Sequence, residues 1–425
     1  MGSLPTGSSS VVADDSARLP DSWLSLLSLG VIVAALGYFV DIYDLVLFSI
    51  VRVPSLQAIG ITGQALVDQG AWLLNVQMAG LLLGGICWGI WGDRRGRVSV
   101  LFASILLYSL ANLANAFADS LFQFAVLRFI AGVGLAGELG AGITLVAERL
   151  PASRRGQGAA LVGGIGVLGA VAANLVAERF QWRTAYLIGG CLGLVLLVLR
   201  FRSLESPLFR QLAERTESVK QGDFLALFRR GDRLLTYISC ILVGLPLWYV
   251  VGILMSFAPE LAKLLRVEGE ITAGRAVMYC YLGFALGDFS SGFLSQALHS
   301  RKLVLAGFLT ALAACVVWYF SAYQASDTLF YLICFCLGAT GGYWAVLLIT
   351  SSEQFGTNLR ATATTTVPNF IRGALIPVTA CFQTLKPSLG LINSAAVTGA
   401  IVLLAAFLGL FHLKETSGRD LDFVE

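Results

Sequence analysis

Charge is what this sequence has least of. Asp, Glu, Lys and Arg make up 13% of its 425 residues, about half the ~25% of an ordinary soluble domain. The 29 basic and 26 acidic side chains leave a net +3, which is no electrostatic footprint for nucleic acid. There are two histidines, His299 and His412, so His-based metal or triad chemistry has almost no material. With no nucleophile–His pair, metal-ligand cluster or phosphate-binding Gly-rich loop, the expectation is no enzyme, no metal site and no cofactor. The eight cysteines (87, 191, 240, 280, 315, 334, 336 and 381) all fall inside apolar runs. Cys334 and Cys336 face apart on a helix, so the set reads as buried small hydrophobes rather than disulfides or ligands. The first ~20 residues are polar and lack a cationic n-region, which fits a tail better than a signal peptide.

What the chain has in excess is apolar. Hydrophobic residues are 57% of it and Gly adds 46 positions. This excludes disorder and leaves a polytopic α-helical membrane protein. Twelve runs near or above the ~20 residues needed to cross a bilayer lie at roughly 23–51, 71–91, 98–118, 121–147, 157–177, 184–201, 234–258, 274–298, 302–323, 326–352, 361–384 and 390–412. With both termini cytoplasmic, inside segments carry twenty Lys and Arg and outside segments seven, Arg128 and Arg372 lying within spans. That bias fixes the orientation as inside–inside.

The chain also repeats. Glu148 precedes Arg155 by seven residues after span 4, and Glu353 precedes Arg360 by seven after span 10, 205 residues on. Gly89-Ile-Trp-Gly-Asp93-Arg94-Arg-Gly96-Arg97 closes span 2, and a decayed copy from Gly292 to Lys302 closes span 8. Glu205-Ser-Pro ends span 6 and Lys414-Glu415-Thr416 ends span 12. Three pairs in one order at nearly one offset make a 6+6 parallel repeat. The expected organisation is a cytoplasmic tail (1–22), a six-helix bundle (23–203), a charged cytoplasmic linker (204–233), a second bundle (234–412) and a C-terminal tail (413–425).

Gly-x-x-x-Asp-Arg-x-Gly-Arg at 89–97 resembles the hallmark of the major facilitator superfamily at every fixed position. Arg128-Phe-Ile-Ala-Gly-Val-Gly-Leu-Ala-Gly-Glu138 and Phe39-Val-Asp41-Ile-Tyr43-Asp44 resemble its metabolite:proton and phosphate:proton symporter branches. Glu205-Ser-Pro and Glu415-Thr-x-Gly418 resemble segment ends of its sugar porters and their organic-ion relatives. The resemblance runs from 23 to 418. It implies an all-α fold of twelve helices in two pseudo-symmetric bundles, and a monomeric carrier in the plasma (bacterial inner) membrane. Such a carrier works by alternating access, and proton-coupled symport of a small, anionic organic solute is the favoured mode. Proton-driven antiport or export is the alternative, and a non-transporting sensor is a remote third. Two departures stand out. Span 5 lacks the Gly-Pro end of antiporters, and Gln296 replaces the motif Asp in the second half.

A charge at mid-span costs about 2.5–3.5 kcal/mol on insertion scales, so Asp41, Asp44, Arg128, Glu138, Asp288 and Arg372 each need a reason. Asp41 and Asp44 share a helical face at i,i+3, and two carboxyls together out of water suit proton loading. Asp44, in the shared Tyr-Asp, is the preferred one; pairing with Arg372 or Arg128 is the alternative. Glu138, ten residues beyond Arg128 and about 15 Å along the helix, is a further proton or substrate candidate or else a buried structural carboxyl. Arg128 tunes a carboxylate. Arg372 sits in a polar span interrupted by Pro368 and Gly373 and has no charged repeat partner. It suits bidentate capture of a carboxylate or phosphate, unless it neutralises a span 1 aspartate. Tyr43, Asn369, Gln77, Tyr249 and Trp344 are the other substrate candidates, with Tyr38, Trp248, Tyr281, Tyr343 and Asn75 behind them. Gly89, Asp93, Arg94, Gly96, Arg97, Glu148, Arg155, Glu353 and Arg360 sit at cytoplasmic helix ends. The resemblance implies that they form a breakable gate there.

Overall fold

The computed structural model describes residues 29–95, 97–138, 155–204, 230–355 and 357–417. Its helices stand where the twelve spans were expected. Spans 1 to 6 are Leu29–Ala58, Gln64–Arg95, Arg97–Asn115, Leu121–Leu135, Arg155–Arg179 and Trp182–Leu204. Span 7 is Gly231–Tyr249 continued by one π turn, Val250–Met255. Spans 8 and 9 are Ala273–Ala297 and Arg301–Phe320. Span 10 comes in two pieces, Asp327–Gly341 and Trp344–Glu353. Span 11 begins as Thr357–Gly373, breaks at Ala374 and resumes in Leu375–His412, whose second part is span 12. Pro368 and Gly373 predict such a break. Gly390 separates spans 11 and 12 at φ 73°, a left-handed conformation that glycine adopts without strain. Among the described residues there is no strand. The expected tails and linker (1–22, 204–233 and 413–425) lie mostly outside the described residues.

Two helices run longer than expected at one end. Span 1 continues to Ala58 and span 2 starts at Gln64; in these extensions Arg52 pairs with Glu260 and Asp68 with Lys386, partners that a sequence window cannot see. We refer to the end where span 1 begins as the terminal end and to the opposite one as the distal end.

The repeat is visible as packing. In the first half, spans 2 and 4 meet backbone to backbone: Gly80 lies against the Phe129 carbonyl, Gly84 against that of Val133 and Gly132 against that of Gln77. In the second half Gly283 lies against the Phe335 carbonyl, Gly287 against that of Ala339 and Gly338 against that of Cys280. The span 2 and span 8 members are 203 residues apart and the span 4 and span 10 members 206. Small residues at helix contacts give close dispersion packing where lipid supplies no hydrophobic drive. A second repeated contact is a strut: the Tyr43 hydroxyl donates to the Ala185 carbonyl at 2.9 Å, and the Tyr249 hydroxyl to that of Ala395 at 2.8 Å. Between the halves, span 5 packs on span 8 and span 11 on span 2.

Candidate functional site

Asp41 stands twelve residues into span 1 and Arg372 fifteen residues into span 11, about 18 and 22 Å along their helices. Each is therefore near mid-depth, and they meet across the two halves. Arg372 Nη2 is 3.5 Å from Asp41 Oδ2, with both side chains buried. Arg372 Nε and Nη1 and Asp41 Oδ1 have no hydrogen-bond partner. The Trp248 ring lies 5.9 Å from the guanidinium carbon. Tyr38 and Tyr281 stand within electrostatic reach of both charges, and Tyr38 also of Asp288. Spans 1, 7, 8 and 11 thus converge on one mid-depth cluster, beside the π turn of span 7 and the break in span 11. Irregular turns are where a spanning helix can offer groups to a ligand.

Asp44 goes elsewhere. Three residues turn a helix about 60° short of a full turn, enough to send Asp41 to the second half and Asp44 into the first bundle. The Asp44 carboxyl lies against Gly189 of span 6, is fully buried and has Asn112 within hydrogen-bonding reach. Arg128 is its charged neighbour. Arg128 donates to Asn112 Oδ1 and stacks 4.8 Å over the Tyr186 ring.

Glu138 is held by both Nη groups of Arg200, Nη1 reaching Oε2 at 3.1 Å, and the pair sits against Gly37 of span 1. Arg200, near the end of span 6, is thus the buried partner of Glu138.

Of the other candidates, Asn369 stays at the seam between halves, donating to the Ala136 carbonyl at 3.2 Å. Trp344 opens the second piece of span 10. There Asp288 Oδ1 accepts the Ala345 N–H at 3.2 Å, which makes Asp288 a cap on a broken helix. Tyr43 and Tyr249 are the struts described above, and Gln77 Nε2 donates to the Leu45 carbonyl at 3.3 Å. The structure does not bring these three to the Arg372 cluster.

At the distal end charged pairs join the halves. Arg52, fully buried, pairs with Glu260 at 2.5 Å, donates to the Ser256 carbonyl at 3.0 Å and lies 4.4 Å over Phe257. Arg275 pairs with Glu178 at 2.7 Å, and Lys386 pairs with Asp68. A basic residue at a span end or in a loop carries no sequence signal of such a partner.

At the terminal end Glu353 accepts from Arg301 Nε and Nη2, each at 2.9 Å, and from the Thr416 hydroxyl at 2.7 Å. Gly89 lies in span 2 with open space beside it. Asp93, Arg94, Arg97, Arg155 and Arg360 fall on helices, but their side chains, like Gly96 and Glu148 altogether, lie outside the described residues. Glu415 was singled out only as a segment end. Its carboxyl accepts from the Ser300 hydroxyl at 2.5 Å and from the Arg301, Lys302, Thr416 and Ser417 N–H groups. Partial burial pushes its pKa up, and these hydrogen bonds overcome that and hold it at about 2.

A bundle pair of this kind, with glycine-packed repeats and charges meeting at mid-depth, is the architecture of a carrier. The model of the Major Facilitator Superfamily matches residues 22–378, and the chain belongs to that family. It is an integral, multi-pass membrane protein and a secondary transporter of a small organic solute rather than an enzyme. The chain is 29% identical over 361 residues to the niacin transporter NiaP of Acinetobacter baylyi, covering 77% of this chain and 80% of that one. To the sialic acid transporter NanX of Escherichia coli it is 26% identical over 391 residues, covering 88% and 92%. Its fold matches that of the xylose transporter XylE from E. coli in an inward open conformation, with a TM-score of 0.70 at 18% identity, covering 92% of this chain and 97% of that one.

Proposed function

We propose that the protein is a proton-coupled symporter of a small organic carboxylate. The observation that carries this is Arg372, a buried guanidinium between the halves with one N–H directed to Asp41 and two nitrogens, Nε and Nη1, without a partner. A planar fork with that much donor capacity left is suited to a carboxylate. Niacin and sialic acid, the solutes in the names of two relatives, are both carboxylic acids. Substrate binding on Arg372 competes with Asp41 and so loosens the ion pair that ties span 1 to span 11. Asp44, fully buried beside Arg128 and Asn112, is the carboxyl that loads the coupling proton, with Arg128 tuning it. The Lys and Arg bias makes the distal end the outside. The Arg52, Lys386 and Arg275 bridges then close the outer side. The charges at the terminal end, Asp93, Arg94, Arg97, Glu148, Arg155, Glu353 and Arg360, form the opposing cytoplasmic gate. The carrier acts as a monomer in the plasma membrane, with the proton as its coupling ion.

The test is a thermal-shift screen of the purified protein against nicotinate, sialic acid and other carboxylates, with xylose as a neutral comparison, followed by uptake into proteoliposomes. Carboxylates should stabilise the wild type and lose that effect in Arg372→Lys. Uptake should rise with an inward proton gradient and collapse with a protonophore. Stabilisation by neutral sugar alone contradicts the substrate class, and gradient-insensitive uptake contradicts symport.

A further inference from the structure

Asp288 is a mid-span carboxyl whose partners, among the described residues, are backbone N–H groups and not a basic side chain. At the repeat offset of 203 that relates Gly287 to Gly84, the first half has Gly85, so this charge stands in one half alone, as Arg372 does. Asp288 lies seven residues past Tyr281 on span 8, nearly two full turns, which puts both on one face about 10 Å apart along the axis. Tyr281 is within electrostatic reach of Tyr38, Arg372 and Asp41, and Tyr38 is within reach of Asp288 as well. Tyr38 stands nine residues from the start of span 1 and Asp288 nine from the end of span 8, each about 14 Å from the terminal end. Asp288 is thus level with Tyr38, on the terminal side of Asp41.

The break in span 10 is built around this carboxyl. Gly342 lies against the Gly287 Cα and the Asp288 nitrogen, and the second piece opens with Trp344 and Ala345, whose N–H groups the carboxyl accepts, that of Ala345 at 3.2 Å. Two neutral donors fix the orientation of a carboxylate but do not cancel its charge. Asp288, Tyr38 and Trp344 are half-buried and Ala345 is exposed, whereas Asp41 and Arg372 are shut away. Span 8 turns a different side outward, the one carrying the exposed Leu286, Phe289 and Phe293. A charge in a spanning helix faces the bundle interior or a solute path rather than lipid, so the open side of Asp288 belongs to the path that leads to Arg372.

We infer that Asp288 is a specificity-determining residue on the terminal side of the site, where it faces the end of the solute opposite to the carboxylate held by Arg372. This rests on the reading of Arg372 as the carboxylate clamp. A cationic or hydrogen-bond-donating end meets a negative charge that no basic side chain offsets. A second carboxylate meets the same charge and is repelled, in surroundings that screen charge less than bulk water does. The favoured solute is therefore a monocarboxylate with an amino or other cationic group at its far end, and dicarboxylates are turned away.

Calorimetric titration of the purified full-length protein with 6-aminohexanoate, hexanoate and adipate tests this, because the three share a flexible six-carbon chain and differ only at the far end. Affinity at pH 7 should fall in that order, with 6-aminohexanoate ahead of adipate by roughly tenfold or more. Asp288→Asn should weaken 6-aminohexanoate and strengthen adipate, since Asn still accepts at the start of a helix and only the charge is lost. Adipate bound by the wild type as tightly as 6-aminohexanoate overturns the role of Asp288 and leaves the Arg372 clamp standing, and that comparison does not need the variant to fold. An Asp288→Asn protein that binds all three more weakly by one factor has lost a purely structural contact, which overturns the proposal too. No binding of any of the three to the wild type contradicts the clamp, and this inference with it.

Discussion

In the first half Gly132 lies against the Gln77 carbonyl and the Tyr43 hydroxyl reaches Ala185; in the second, Gly338 lies against Cys280 and Tyr249 reaches Ala395. The mid-span charges do not follow this pattern. Asp41, Asp44, Arg128 and Glu138 of the first half have Leu247, Val250, Cys334 and Trp344 at the repeat offsets. Arg372 stands where span 5 has the uncharged Gly166-Val167 stretch. The contacts that let helices approach recur in both halves, as do the charges at the ends of spans 4 and 10, whereas each mid-span charge stands in one half alone. Unshared mid-span charges are therefore the guide to where substrate and proton are held.

The largest effect should come from breaking the contact where the two unlike halves meet. Arg372→Ala strands Asp41 as a buried charge, which costs about 3–5 kcal/mol, whereas removing both partners can be near neutral. Chemical unfolding should show that loss. Adding Asp41→Ala should restore stability, and adding Asp44→Ala should not, because Arg372 pairs with Asp41 whereas the charged neighbour of Asp44 is Arg128. Substrate affinity should stay lost in both double variants, and its recovery with Asp41→Ala would contradict the carboxylate clamp.

Next come the shared positions. Gly132→Ala and Gly338→Ala each place a methyl against a facing backbone carbonyl, and overpacking of this kind costs about 1–3 kcal/mol. The two variants should lower the melting temperature by similar amounts. A tolerated substitution in one half alone would break the equivalence of the scaffolds.

How far the sequence reveals this can be judged residue by residue. The Gly89–Arg97 motif and the Glu–Arg spacing are local patterns, and they carry the family and the repeat. Arg372 stands out because a polar, Pro- and Gly-interrupted span is rare. The partner of Arg372 was not legible, since Asp41 and Asp44 differ only by the 60° that three residues fall short of a turn. The partners of Arg200 and Arg52 were not legible either, because a charge at a span end looks the same whether it faces water or a buried carboxylate. Tyr43 and Tyr249 looked like site aromatics, and only the fold shows each hydroxyl spent on a carbonyl of its own bundle.

The smallest effect is expected at the terminal end of the second half. Glu415 titrates at about 2, below the ordinary glutamate value of 4.5. Its contribution is thus present above 4.5 and lost as the pH falls through 2. The group is mostly exposed, so the effect is modest. Glu415→Gln should melt slightly below wild type at pH 7, and the gap should close as the pH is lowered from 4.5 to 2. A gap that does not change with pH would mean that these hydrogen bonds do not depend on the charge.

The central claim is that the first half holds the coupling proton on Asp44 while the second half holds the substrate on Arg372. The direct test compares two assays of Asp44→Asn in proteoliposomes, using a solute that stabilises the wild type. Accumulation driven by an inward proton gradient should be abolished, while exchange of preloaded for external solute continues. Accumulation at the wild-type level would contradict the account.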